Sequence, residues 1–216
     1  MKLIFILILT YIFVSSNNIS ANENIENCSI KNVPSKERIF SKNFSGVFNG
    51  KRIDYIASLK EKIIYEKDNP SEPMASFFYT EYIVESDKNR PIIFSFNGGP
   101  GSASLWLHMG VLGPKVIKVP SDASDDGAAP FKIVDNKLSP LSDADLVFID
   151  PIGTGYSRAI GCHEPEEFWG VSEDPKIIAE FIRRWINDNK RWNSPRFILG
   201  ESYGGIRGPL LVSELR

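Results

Sequence analysis

Cysteine and histidine are scarce in this chain, which contains two of each among 216 residues. Paired cysteines or histidines at zinc-ligand spacing are absent, so we expect no metal site. The formal net charge is −2 and no long run of one sign occurs, which argues against nucleic-acid binding and a polybasic membrane patch. Hydrophobic residues make up 42% and charged residues 24%, the balance of a protein with one principal domain and one buried core.

The N-terminus has no apolar run of membrane-spanning length. Residues 3–14 are almost wholly apolar, but they fall short of the ~20 residues that a helix needs to cross a bilayer. A lysine precedes this run and small, polar residues follow it, which is the layout of a secretory signal peptide. We therefore predict a signal peptide at residues 1–21 and an exported protein, periplasmic or secreted, without stable membrane association after cleavage.

The remainder divides into two parts. Residues 22–43 are polar and form a predicted leader, and residues 44–216 form the predicted folded domain. Cys28 lies in the first part and Cys162 in the second, so in an exported protein they form a disulfide or remain two free thiols, and their spacing does not decide between these states.

The order of predicted strands and helices indicates the fold class. Antiparallel strands are predicted at 44–50, 51–59, 62–68 and 74–84, and short apolar strands buried on both faces at 91–96 and 144–150. A helix is predicted after an N-cap at Ser172, with one apolar face formed by Ile177, Ile178, Phe181, Ile182, Trp185 and Ile186. A short strand at 196–199 and a final helix follow. This order predicts an α/β fold with a mixed, mainly parallel sheet flanked by helices.

Residues 200–205, GESYGG, are named here the serine turn. Ser202 lies between Gly200 and Gly204 in a G-x-S-x-G pattern, which is typical of a tight strand-to-helix turn that exposes a nucleophilic serine. The pattern alone also fits a glycine-containing loop with an ordinary serine. Because an apolar strand precedes it and a helical segment follows, the context favours the nucleophile.

Residues 97–101, NGGPG, are named the glycine loop and follow the strand at 91–96. Glycines allow backbone N–H groups to approach a ligand oxygen closely. In hydrolases with such a serine, one oxyanion donor follows the nucleophile and another comes from a glycine loop behind an earlier strand. The predicted pair is the N–H groups of Tyr203 and Gly99. An ordinary strand-to-helix turn and a phosphate cradle are alternatives, although the Walker lysine is absent.

Residues 150–157, DPIGTGYS, are named the GTG loop and follow the strand at 144–150. The loop lacks the last glycine of a dinucleotide fingerprint, so that interpretation is weak. Three glycine-containing loops that follow buried strands are expected to meet at one edge of the sheet, where α/β folds bind ligands.

Three long segments together resemble the serine carboxypeptidases, α/β-hydrolase-fold exopeptidases that remove C-terminal residues. The segments are FSFNGGPGSASLWLHMGVLGP at 94–114, DPIGTGYSR at 150–158 and ILGESYGG at 198–205. The likeness extends from about Phe44 to the end of the chain.

The resemblance implies roles for six residues. Ser202 attacks the scissile carbonyl, while the N–H groups of Gly99 and Tyr203 hold the oxyanion. The residues that bind the free α-carboxylate of a peptide substrate are Asn97, Gly98 and Glu201. No cofactor is implied.

Two positions depart from the family pattern. A glutamate that receives a carboxylate must be protonated, which favours activity in acid, and many members have a second glutamate where this chain has Val111. Either carboxylate recognition is reduced and the pH optimum is less acidic, or substrate preference has shifted. Ser102 stands where many members have a disulfide cysteine.

The general base is missing from the expected place. In this fold the triad order is Ser, Asp, His, but only 14 residues follow Ser202 and none is Asp or His. His108 and His163 lie upstream, where we expect a packed ring and a solvated ring. We therefore expect an incomplete catalytic domain that is inactive alone, with the triad Asp and His beyond residue 216.

Three functions remain open at this point. The leading one is a serine-type carboxypeptidase acting on peptides with a free C-terminus. An esterase or acyltransferase of the same fold uses the same nucleophile and oxyanion donors. A non-catalytic peptide-binding remnant would keep only the binding groups.

Overall fold

The computed structural model describes residues 33–85, 89–120, 122, 124, 127 and 129–216. The predicted signal peptide and Cys28 lie outside these residues. The strands are β1 Ile39–Phe48, β2 Lys51–Tyr65, β3 Pro73–Ile83, β4 Ile92–Phe96, β5 Lys115–Ile117, β6 Ile133–Asp135, β7 Asp145–Ile149, β8 Arg158–Ala159 and β9 Arg196–Gly200. The helices are α1 Leu105–Leu107, which continues as a π-helical turn at His108–Leu112, α2 Glu173–Asp188 and α3 Gly204–Leu215. Two 3₁₀ turns lie at Pro140–Ser142 and Pro165–Phe168.

The main sheet is mixed and has the order β1-β2-β3-β7-β4-β9. Strands β1, β2, β3 and β7 pair antiparallel in turn, whereas β7, β4 and β9 form a parallel group. Strand β8 pairs with β3, and β5 and β6 form a separate antiparallel pair. This topology, with helices packed against the sheet, confirms the predicted α/β fold and is that of the α/β hydrolases.

The first strands differ from the prediction at two points. Strand β1 begins at Ile39, so the end of the predicted leader belongs to the sheet. The segments 51–59 and 62–68 belong to one strand, β2, because the charged residues between them have partners inside the fold. Lys60 Nζ lies 2.5 Å from a Glu81 oxygen, and Glu61 accepts from Arg38 Nε at 2.8 Å. Paired charges can remain within a sheet where unpaired charges would interrupt it.

The core lies on both faces of the sheet. Helix α2 follows Ser172 as predicted, and the six residues of its predicted apolar face are all buried. They pack against the face of the sheet that carries Phe94, Phe96, Val147 and Ile149. Leu146 and Phe148 belong to a second cluster with Leu107 on the opposite face. Because alternate residues of β7 enter different clusters, the prediction of a strand buried on both faces is confirmed.

The three parallel strands bring the three loops together. Strands β7, β4 and β9 are neighbours and run in one direction, so their carboxyl ends lie at the same edge of the sheet. The GTG loop follows β7, the glycine loop follows β4 and the serine turn follows β9. The register pairs Phe96 with Gly200, which places the glycine loop directly beside the serine turn.

Candidate active site

The serine turn has a strained backbone at its central residue. Ser202 has φ +58°, in the left-handed region that non-glycine residues rarely adopt, and its side chain is exposed. A Cβ at Gly200 would lie 2.2 Å from the carbonyl oxygen of Gly204, so a side chain there would block the closure between β9 and α3. The sharp strand-to-helix turn predicted from G-x-S-x-G is present, and strain of this kind is characteristic of functional residues.

The glycine loop touches the serine turn at Gly98. A Cβ at this position would lie 2.5 Å from the backbone nitrogen of Tyr203, 2.6 Å from the carbonyl oxygen of Glu201 and 3.0 Å from Cβ of Ser202. No side chain fits between these two backbones. The structure thus brings together the two segments that the sequence analysis assigned to one site, although their residues are about a hundred positions apart in the chain.

Two peptide groups of the glycine loop are oriented by hydrogen bonds to their carbonyl oxygens. The Gly98 carbonyl accepts from the Ser102 N–H at 3.2 Å, and the Asn97 carbonyl accepts from Arg207 Nη1 at 2.7 Å. Because C=O and N–H point in opposite directions in a trans peptide, these bonds direct the N–H groups of Gly99 and Gly98 the other way. Among the described residues, neither these N–H groups nor that of Tyr203 has an acceptor.

The side chain of Asn97 is buried and joins the glycine loop to the serine turn. Its Oδ1 accepts from the Leu107 N–H at 3.0 Å, and its Nδ2 donates to Glu201 Oε2 at 3.1 Å. Only 1% of Asn97 is exposed, whereas Glu201 is exposed. The predicted carboxylate-binding residues therefore form one connected group next to Ser202.

A buried ion pair that the sequence analysis missed lies below this group. Arg207 is 2% exposed and donates from Nε to Asp174 Oδ2 at 2.6 Å. Burial raises the pKa of Asp174, and the guanidinium opposes this shift. The guanidinium also lies over the rings of Phe96 and Tyr203, at 5.1 and 5.2 Å from their centroids. An isolated arginine in the otherwise apolar segment IRGPLLV was the available sequence signal.

The GTG loop supports the far end of the glycine loop. Asp150 Oδ1 accepts from the Ser104 N–H at 2.8 Å, and burial raises the pKa of this carboxyl group. Ser157 Oγ accepts from the Phe78 N–H at 2.8 Å, which anchors the loop to β3. The chain between the glycine loop and α1 is thus attached to the carboxyl end of β7.

A cavity of about 470 Å³ lies between the three loops. Its walls include Pro100 of the glycine loop, Ile152 of the GTG loop and Tyr203 of the serine turn, and Trp169 and Val171 complete it. The predicted convergence of the three loops therefore encloses a mainly apolar space that opens beside the serine turn.

Neither histidine of the chain contacts Ser202. The ring of His108 stacks on Phe148, with 4.6 Å between centroids, and its Nε2 lies 2.5 Å from the Tyr82 hydroxyl oxygen. Burial lowers the pKa of His108 to about 4, so this packed ring is neutral at pH 7. His163 is not solvated as predicted, because Glu167 Oε2 lies 2.8 Å from its Nδ1 and only 12% of its side chain is exposed.

The buried His108 predicts a loss of stability in acid. In the unfolded chain its pKa returns to about 6.5, so the unfolded state binds the proton more tightly and stability decreases as pH falls from 6.5 towards 4. We expect His108→Gln to remove a pH-dependent part of about 3 kcal/mol, measured as the difference in urea-unfolding free energy from the native protein at pH 7 and pH 4.

A matched variant separates burial from the hydroxyl contact. Tyr82→Phe removes the hydrogen-bonding partner but leaves the imidazole buried, so its stability should keep the pH dependence of the native protein. Equal pH dependence in His108→Gln and the native protein would show that His108 is not the group responsible.

The described residues contain no cluster of His, Cys, Asp and Glu that could hold a metal ion. Cys162 is disulfide-bonded, which supports the first of the two cysteine states considered above, while Cys28 lies outside the described part of the chain. No helix in the described ranges is long and apolar enough to span a membrane.

Comparison with known proteins identifies relatives of this arrangement. The family model for serine carboxypeptidase matches residues 58–216. Serine carboxypeptidase-like 9 from Arabidopsis thaliana is 28% identical over 179 residues, which cover 78% of this chain and 39% of the relative. Serine carboxypeptidase-like 2 from the same plant is 30% identical over 151 residues, covering 67% of this chain and 32% of the relative. The chain thus spans about a third of the length of these relatives.

Among solved structures, one described as an epoxide hydrolase mutant from Pseudomonas aeruginosa is 17% identical, with a TM-score of 0.34. The match covers 71% of this chain and 36% of that chain. At this similarity it supports no functional inference.

Proposed function

Because this chain belongs to the serine carboxypeptidase family, we propose that the protein is a serine-type carboxypeptidase that hydrolyses C-terminal peptide bonds through an acyl-enzyme on Ser202. One observation supports this most directly. The exposed, strained Ser202 lies beside a hydrogen-bonded Asn97–Glu201 pair, so a nucleophile and groups able to bind a carboxylate are adjacent.

Acyl transfer starts with attack of Ser202 Oγ on the scissile carbonyl carbon. The carbonyl oxygen becomes an oxyanion, which accepts hydrogen bonds from the N–H groups of Gly99 and Tyr203. Both N–H groups lack an acceptor among the described residues, and the hydrogen bond of Ser102 to the Gly98 carbonyl holds the Gly99 N–H in place beforehand. Donors oriented before the reaction stabilise developing charge without further rearrangement.

The free carboxylate of the substrate binds next to this site. It accepts from the Asn97 side chain and the Gly98 N–H, and it shares a proton with Glu201. Two carboxylates at hydrogen-bond distance favour retention of one proton, which is the reason for acid-favoured activity. Val111 is 57% exposed and adds no second carboxyl group, so the site binds the substrate carboxylate with a single protein carboxyl group.

The general base and its orienting acid come from residues beyond 216. Both histidines described here are engaged elsewhere, and the chain spans about a third of the relatives it matches. An apolar surface beside the last strand is suited to packing by such residues, since Phe197 is 55% and Ile206 56% exposed. The 216-residue chain alone should therefore lack turnover.

The cavity between the three loops holds the substrate side chain that precedes the scissile bond. Its mainly apolar lining and its contact with Tyr203, whose N–H is an oxyanion donor, favour a large apolar side chain there. We expect the preceding residue of good substrates to be aromatic or aliphatic.

The protein reaches its substrates outside the cytoplasm, as the signal-peptide layout of residues 1–21 indicates. The mass of the mature N-terminus tests this part, because cleavage after Ala21 removes 21 residues.

The function is tested with three substrates that differ only at the C-terminus. An N-blocked Phe-Leu dipeptide is offered as the free acid, as the amide and as a simple ester of the blocked phenylalanine, to the protein as its gene encodes it. We expect hydrolysis of the free acid at acidic pH and little hydrolysis of the amide. Turnover of the ester alone would indicate an esterase or acyltransferase. Binding of the free acid without turnover, and without labelling of Ser202 by a fluorophosphonate, would indicate a peptide-binding remnant.

A further inference from the structure

We infer that Arg207 is a positioning residue for carboxylate recognition, because it fixes the direction of the Gly98 N–H through the other end of the same peptide group. This inference rests on the proposed function for the identity of the ligand. The orientation itself depends only on the geometry of the described residues.

The first step is the bond to the backbone. Arg207 Nη1 donates to the Asn97 carbonyl oxygen at 2.7 Å, and both residues are buried, at 2% and 1% exposed. The Asn97 carbonyl and the Gly98 N–H belong to one planar trans peptide group, so a bond that holds the carbonyl also sets the direction of the N–H. A guanidinium below the peptide therefore aims the N–H above it.

The second step concerns the arginine itself. Its Nε donates to Asp174 Oδ2 at 2.6 Å, and its plane lies over Phe96 and Tyr203. These contacts restrain the guanidinium from two directions, while its planar fork reaches a carboxylate and a carbonyl at once. A lysine provides a single nitrogen on a flexible stem and cannot reproduce both bonds in the same geometry.

The third step separates Gly98 from Gly99. The carbonyl that controls the Gly99 N–H accepts from the backbone N–H of Ser102, not from Arg207. Loss of the guanidinium should therefore impair the group that contacts the substrate carboxylate and spare the oxyanion donor. Recognition of the free acid should weaken, whereas attack on a neutral ester should continue.

Arg207→Lys tests the inference, and Arg191→Lys is its matched control. Arg191 is also buried, at 5% exposed, and also donates to one carboxylate, Asp145 at 2.7 Å, and to one backbone carbonyl, that of Arg90 at 2.6 Å. Asp145 begins β7, so this second pair lies at the amino end of the parallel strands, away from the three loops. The two substitutions remove equivalent bonds at opposite edges of the sheet.

The kinetic measurement compares the free-acid peptide with the ester of the previous section. For Arg207→Lys we expect KM for the free acid to rise about tenfold, the effect of losing one charge-assisted hydrogen bond, with kcat for the ester unchanged. For Arg191→Lys both parameters should remain at the native values below its unfolding temperature. If both variants alter KM for the free acid equally, Arg207 has only a structural role.

A binding measurement gives a result even without turnover. The backbone amide signals of ¹⁵N-labelled protein are recorded during titration with N-acetyl-phenylalanine, whose carboxylate serves as the probe. We expect the Gly98 signal to differ between the native protein and Arg207→Lys before any probe is added, and the probe to bind the variant about tenfold more weakly. An unchanged Gly98 signal in Arg207→Lys would overturn the positioning role. A native Gly98 signal that the probe leaves unmoved would instead count against the proposed carboxylate site.

Discussion

Replacing Ser202 by alanine is expected to lower kcat by roughly 10⁴- to 10⁶-fold in the protein as its gene encodes it, since no other group can form the acyl-enzyme. The oxyanion donors and the substrate-binding groups remain in this variant and support only a small residual rate. Alanine also retains a Cβ at φ +58°, so the variant keeps the backbone strain of the native turn and should be equally stable.

Ser202→Gly separates the strain from the chemistry. Glycine adopts positive φ without steric cost, whereas other residues lose about 1–2 kcal/mol in the left-handed region. This variant should be as inactive as Ser202→Ala, yet more stable to urea by about 1 kcal/mol. Opposite changes in activity and stability would show that strain at this position is retained for function.

Labelling with a fluorophosphonate locates the nucleophile directly. The native protein should react at Ser202, and the alanine variant should not react. Ser213 is an exposed serine on α3 and provides the control, because Ser213→Ala should label and turn over substrate as the native protein does. Retention of the native rate in Ser202→Ala would reject the acyl-enzyme.

Replacing Gly98 by alanine is the second large effect, with an expected loss of about 10³-fold in kcat/KM. Its Cβ would lie 2.5 Å from the Tyr203 nitrogen and 2.6 Å from the Glu201 carbonyl oxygen. These are backbone atoms that cannot rotate away, so the glycine loop and the serine turn must separate. Loss of one oxyanion donor typically costs roughly 10²- to 10³-fold, and this variant displaces both donors and the carboxylate-binding N–H.

Gly110→Ala is the control for adding a methyl group to a glycine near this region. A Cβ at Gly110 meets no atom within 4 Å, and the residue lies in the π-helical turn after α1. Its activity and stability should match those of the native protein. Native activity in Gly98→Ala would mean that the two segments need not touch during catalysis.

Local sequence patterns predicted the local backbone well. The apolar residues of α2 recur at helical spacing behind Ser172, and they all enter the core. The serine turn was recognisable because its glycines are required by backbone contacts, such as that between Gly200 and the Gly204 carbonyl. Such features depend on neighbours within a few residues, which a sequence pattern can record.

Other features escaped prediction because their partners are distant in the chain. Lys60 and Glu61 interrupt the apolar pattern of β2, but Glu81 and Arg38 pair with them across the sheet and the strand continues. His163 was expected in solvent because its neighbours are polar, yet Glu167 and Glu66 enclose its ring. A polar side chain at the surface and one satisfied inside a fold have the same local sequence.

By itself the sequence determined the family, the identity of the nucleophile candidate and the three loops that follow buried strands. Only the tertiary structure decided how these loops meet, because the parallel register of Phe96 with Gly200 sets Asn97 beside Glu201 across 104 positions. It also decided that Arg207 holds the Asn97 carbonyl across 110 positions. Direction of an N–H group is a property of packed peptide planes, and the hydrogen bonds that orient those planes form only when distant segments are brought into contact.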